Sequence, residues 1–77
     1  MNIKKGKYRH FKGGEYEVLG VGRHSETLEE LVIYKALYNS EEFGPNALWV
    51  RPIGMFQDEK ELEDGRTVKR FQYVGDE

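Results

Sequence analysis

The 77-residue chain has no cysteine, only two prolines, one tryptophan and two histidines. Without cysteine it can form neither disulfides nor a Cys-ligated zinc site, so packing alone must hold the fold together. Apolar runs such as Leu31 to Tyr34 stop at four residues, far short of the roughly 20 needed to span a bilayer. Basic Met1 to Gly6 is not followed by an apolar stretch that would make the centre of a signal peptide, so the expected compartment is the cytoplasm. A dominant charge is missing too. The net charge of −2 does not by itself point to nucleic acid, membrane or an acidic tail.

What the chain does have is rings. Five Tyr and four Phe join the single Trp, and their large buried areas partly offset the short length. A chain of this size hides only about 60 to 65% of its unfolded surface, which leaves room for one core and one domain. That domain spans residues 1–77, with 1–5 and 75–77 expected to fray. Charge is unevenly spread. Met1 to His24 carries six basic residues against two acidic, whereas Ser25 to Asp64 carries three against ten.

Apolar residues fall at alternate positions or in short β-branched runs, a strand pattern. Lys7 to Phe11 reads as a first strand, and Lys12-Gly13-Gly14-Glu15 as a hairpin turn. Tyr16 to His24 follows, with Tyr16, Val18, Gly20, Gly22 and His24 on one face. Leu31 to Tyr38, apolar on both faces, reads as a central strand. Asn39 to Asn46 is a loop, and Ala47 to Arg51 is a strand that Pro52 ends or confines to an edge. A helical turn at Gly54 to Asp58, a hairpin across Asp64-Gly65 and a last strand from Arg66 to Val74 complete the chain. Five or six short strands with one helical turn predict an all-β fold, a small SH3-like antiparallel barrel, with an OB-like barrel as the alternative.

Chemistry-bearing motifs are sparse. Gly20-Val21-Gly22 lacks the third glycine and the βαβ unit of a nucleotide fingerprint. His10 and His24 lack metal-ligand spacing, so no metal and no cofactor are expected. His24-Ser25-Glu26 holds the residue types of a catalytic triad, but neighbours on a strand point to opposite faces. The expectation is therefore a non-enzymatic protein. Aromatic rings beside cations remain: Tyr8 and His10 with Arg9 and Lys12, and Trp49 with Arg51. Rings that stack and guanidiniums that pair with anions are the parts of single-stranded nucleic-acid, nucleotide and peptide sites. Arg51 and Arg70 lie within or beside aromatic strands, where a buried guanidinium needs a carboxylate partner; for Arg51 the candidates are carboxylates such as Glu17 or Glu26.

The ordered set Tyr8-Arg9-His10-Phe11-Lys12-Gly13-Gly14, Tyr16-Glu17-Val18, His24-Ser25-Glu26-Thr27, Leu31-Val32-Ile33-Tyr34, Trp49-Val50-Arg51-Pro52, Met55-Phe56 and Arg70-Phe71 resembles the small bacterial family called domain of unknown function 1653. The resemblance runs from Gly6 to Val74. It implies an SH3-like barrel, found alone or as an accessory module, with no activity to carry over. Positions matching its motifs are Tyr8, His10, Lys12, His24, Glu26, Tyr34, Trp49, Arg51 and Arg70. With Arg9 these form the expected ligand-binding set. The expected partner is nucleic acid or a nucleotide-like anion, with a protein or peptide as the alternative; an enzyme or metal protein ranks third.

Overall fold

The computed structural model describes residues 3–75 and is all-β, with one four-residue helix. The expected frayed positions 1–2 and 76–77 lie outside the described residues. Strands β1 (Gly6–His10), β2 (Glu15–Arg23), β3 (Glu30–Ala36), β6 (Leu48–Pro52) and β9 (Phe71–Gly75) form one antiparallel sheet in the order β6-β3-β2-β1-β9. Two small hairpins stand apart from it: β4 (Asn39–Ser40) with β5 (Gly44–Pro45), and β7 (Glu59–Glu61) with β8 (Thr67–Lys69). Helix α1 (Ile53–Phe56) follows β6 directly.

The first hairpin forms as its glycines demand. Gly13 adopts φ 110°, a region that costs an L side chain strain, and His10 N–H donates to the Gly14 carbonyl at 2.7 Å. β3 is central, paired with β2 and β6, and it buries Val32, Tyr34 and Ala36 on one face. The face assignment of β2 needs correction. Val18 pairs with Tyr34 but Gly20 pairs with Ile33, so Leu19 is the extra residue of a β-bulge and the inward set changes parity there. Tyr16 and Val18 face the core, whereas Gly20 and Gly22 oppose Ile33 and Leu31 on the other side. The single last strand is also corrected: it breaks at Arg70, whose N–H still donates across the β7–β8 hairpin to the Asp58 carbonyl at 3.1 Å while its carbonyl already accepts from Phe11 N–H beside β1 at 3.0 Å.

Edge strand β6 explains its proline. Ala36 N–H donates to the Ala47 carbonyl at 2.8 Å, one step beyond the Lys35–Leu48 pair. Antiparallel pairs alternate, so Trp49 and Arg51 exchange hydrogen bonds with Tyr34 and Val32. Leu48, Val50 and Pro52 then turn their main-chain groups to the open edge, where the N–H missing from Pro52 leaves no ladder bond unmade.

No ladder joins β6 to β9 among the described residues, so the sheet is not a closed barrel by hydrogen bonding. It is strongly curled. In a flat sheet about 14 Å would separate β3 from β9 and about 19 Å would separate β6 from β9. Instead the Tyr34 and Phe71 ring centroids lie 5.5 Å apart, and the Arg51 guanidinium sits 5.5 Å from the Phe71 centroid. Inside the curl Tyr8, Val18, Val32, Tyr34, Phe56 and Phe71 form the core, flanked by Ile3, Tyr16, Ile53 and Tyr73.

Candidate functional site

One mouth of the curl gathers rings and cations. Tyr16 on β2 packs edge-on against Tyr34 at 5.3 Å, Tyr38 at 5.6 Å and Phe71 at 5.6 Å. His10 on β1 closes the group, 4.8 Å from Phe71 and 6.5 Å from Tyr16 between centroids. The cross-strand register places these residues together. His10 lies opposite Phe71, Tyr16 opposite Ala36, Tyr34 opposite Trp49 and Val32 opposite Arg51, so their side chains share the concave face.

Two arginines enter this mouth with different partners. Arg70 forms a two-pronged pair with Asp58, Nε to Oδ1 at 2.7 Å and Nη2 to Oδ2 at 3.3 Å. That pairing holds the Asp58 carboxyl below its ordinary value. Arg51 has no carboxylate in ion-pair contact among the described residues. It lies over the Phe71 ring, and its Nε approaches the Tyr34 hydroxyl at 3.4 Å, the long limit of a hydrogen bond. Glu17, one expected partner, is taken by Lys35 at 3.4 Å instead, and Glu26 lies in an exposed turn at the far end of β2. A half-buried guanidinium with open donor positions is the strongest chemical feature of the mouth, because its planar fork matches carboxylate or phosphate.

His10 is shaped by its surroundings. Burial, and then the charges of Arg51, Arg70 and Lys12, lower its pKa below 6.5, so the ring is neutral at pH 7. Its Nδ1 accepts from Lys12 N–H at 3.1 Å, which leaves the proton of the neutral ring on Nε2 as a donor. Tyr16 and Tyr38 share a hydroxyl hydrogen bond of 2.7 Å. Burial first, and that bond second, push the Tyr16 phenol up, so its hydroxyl stays protonated and neutral beside the cations.

The expected ligand-binding residues divide. His10, Tyr34, Arg51 and Arg70 converge on this mouth, and Trp49 lies two residues along β6 on the same face. Lys12 lies in the adjacent turn, its ammonium 5.8 Å from the Phe11 centroid. Tyr8 is a core residue, 7% exposed, and its hydroxyl donates to the Lys4 carbonyl at 2.7 Å. Arg9 is on the opposite face, paired with Glu15 at 2.9 Å. His24 and Glu26 lie in the turn beyond the far end of β2, whose seven steps from Tyr16 to Arg23 cover about 23 Å at strand rise. There His24 Nδ1 accepts from the N–H groups of Glu26 and Thr27 at 3.1 and 3.3 Å, and it organises a turn. The set as expected therefore does not form one site. The sequence reading missed Tyr16, Tyr38, Phe71 and Asp58. The shared face of Tyr34 and Tyr38 was the available signal; the Asp58–Arg70 pair depends on the break at Arg70, which alternation does not reveal.

Among the described residues no group of three or more His, Cys, Asp or Glu is placed to hold a metal ion. No helix among them is long and apolar enough to cross a membrane.

A curled antiparallel sheet with an aromatic, cationic concave mouth defines a small all-β domain that carries its polar chemistry on one opening. The chain belongs to the family described as protein of unknown function (DUF1653), whose model matches residues 6–73. It is similar to a crystal structure of a DUF1653 protein from Bordetella bronchiseptica, with 32% identity, a TM-score of 0.85, and coverage of 97% of this chain and 91% of that one. No curated protein matches the chain.

Proposed function

We propose that this protein is a cytoplasmic, non-enzymatic binding module of SH3-like architecture whose concave mouth recognises an anionic group, with nucleic acid or a nucleotide as the first ligand class. The observation that carries this reading is Arg51, a half-buried guanidinium over Phe71 with no carboxylate in ion-pair contact among the described residues, the nearby Asp58 being held by Arg70. Neutral His10 and the Tyr16–Tyr38 hydroxyl pair add donors beside it. The curl that brings β6 against β9 supports the barrel-like description.

The test is a titration of labelled protein with short single-stranded RNA and DNA at two salt concentrations. Resonances of His10, Tyr16 and Arg51 should shift, and affinity should fall with a log–log salt slope of about −0.7 per phosphate contacted. Unchanged spectra, or binding indifferent to salt, would remove the proposal. A protein-interaction module is the second reading, favoured by Leu48 and Val50, which are 66% and 60% exposed on β6. A single protein partner recovered after nuclease treatment would favour it over the first.

A further inference from the structure

We infer that Trp49 and Phe43 form an aromatic platform for a planar ring whose phosphate rests on Arg51, so that the mouth takes one nucleotide unit. This inference rests on reading Arg51 as the anion site. Trp49 and Arg51 are alternate residues of β6, hence on one face and about 6.6 Å apart along the strand. That spacing suits a ligand carrying a flat ring at one end and a phosphate at the other. Trp49 is 37% exposed although it stands opposite buried Tyr34, so the sheet does not cover its indole. Phe43 supports it from one side, with centroids 5.1 Å apart and rings at 84°. Phe43 is itself 58% exposed and is held in its turn by its N–H donating to Ser40 Oγ at 2.9 Å. With the rings at 84° the pair makes a corner in which a base stacks on the face of one ring and abuts the other, and such stacking tolerates any base. Arg51 supplies what the platform lacks, a cation at phosphate distance, while His10 Nε2 and the tyrosine hydroxyls offer hydrogen bonds. The same unit can come from a free nucleotide or from a single strand.

Trp49 is the only tryptophan, so its emission reports stacking directly. Adenosine monophosphate, adenosine, inorganic phosphate and a short oligo(dA) are titrated separately into the full chain, with tryptophan emission and amide shifts read in parallel. Adenosine monophosphate and oligo(dA) should quench Trp49 and shift Arg51. Phosphate should shift Arg51 and His10 without quenching. Equal affinities for the nucleotide and the oligomer identify the free nucleotide as the source; tighter oligomer binding identifies a strand. Trp49→Ala should lower nucleotide affinity about five-fold to a hundred-fold and leave the phosphate-induced shift at Arg51 intact, and Trp49→Phe should restore most of the loss. Phe43→Ala, at an exposed turn, gives the same readout with little risk to folding. If the nucleotide shifts Arg51 but leaves Trp49 emission unchanged, the platform is overturned and the anion site stands. If no probe perturbs Arg51, both readings fall.

Discussion

Arg51 and Arg70 occupy neighbouring positions at the mouth, and their partners give them opposite relations to stability. Arg70 is tied to Asp58 through two side-chain bonds and through its own N–H, so truncating its side chain leaves the Asp58 carboxylate without its cation while the backbone bond to Asp58 remains. Arg51 leaves no such orphan, because its direct contacts are the Phe71 ring and the Tyr34 hydroxyl, and the nearby Asp58 carboxylate keeps its pair with Arg70. Arg70→Ala should therefore lower the thermal midpoint clearly, whereas Arg51→Ala should leave it within the small range of an ordinary surface substitution while abolishing anion binding. Equal losses of stability in the two variants would make Arg51 a structural residue. At this scale the sequence was partly legible. Guanidiniums inside aromatic strands stand out as groups in need of an explanation, but which of them finds a carboxylate depends on where the last strand breaks. Tyr8 shows the opposite failure: alternation placed it on the same face as His10, correctly, yet one end of that face is core and the other is mouth.

Among the elements, α1 has the least reason to exist by itself. Its four residues have no side-chain cap and no acidic residue in the first turn, and an isolated turn of helix is unstable in water. It persists because Phe56 is 1% exposed and stacks on Phe71 at 4.2 Å and 6°, with Tyr8 and Tyr34 edge-on at 5.3 and 5.4 Å. Phe56→Ala should cost about 3 to 5 kcal/mol, a large share of what a domain this small possesses, and should be read from the urea midpoint. A loss below about 1 kcal/mol would mean that the aromatic stack closes over the gap. Met55 and Phe56 made a helical turn visible in the sequence, and the Asp64-Gly65 hairpin was visible too. The bulge at Leu19 was not. Its signature is a register between two strands, and a single strand with two glycines can be read on either face until its partner is fixed.

For the whole molecule, the curl determines what the fold can offer: it turns a surplus of rings into a core with one aromatic rim, and it leaves β6 as an uncovered border. Alternation gave the all-β class and most strands, since each half-buried strand records its inward face in sequence. Curl and convergence were not legible, because they arise from contacts such as Tyr34–Phe71 across two intervening strands. Pro52 has a consequence for the protein in a crowded solution. Along the border of β6 only Leu48 and Val50 present complete donor–acceptor pairs, and both carry exposed apolar side chains, the combination that invites copies to join edge to edge. Pro52 removes the third donor and so shortens the template on which another chain could grow. Pro52→Thr should raise the sedimentation coefficient with concentration, through assembly of one molecule upon the next, while the natural chain stays unchanged over the same range. Identical sedimentation of the two would show that the border is guarded by something other than its proline.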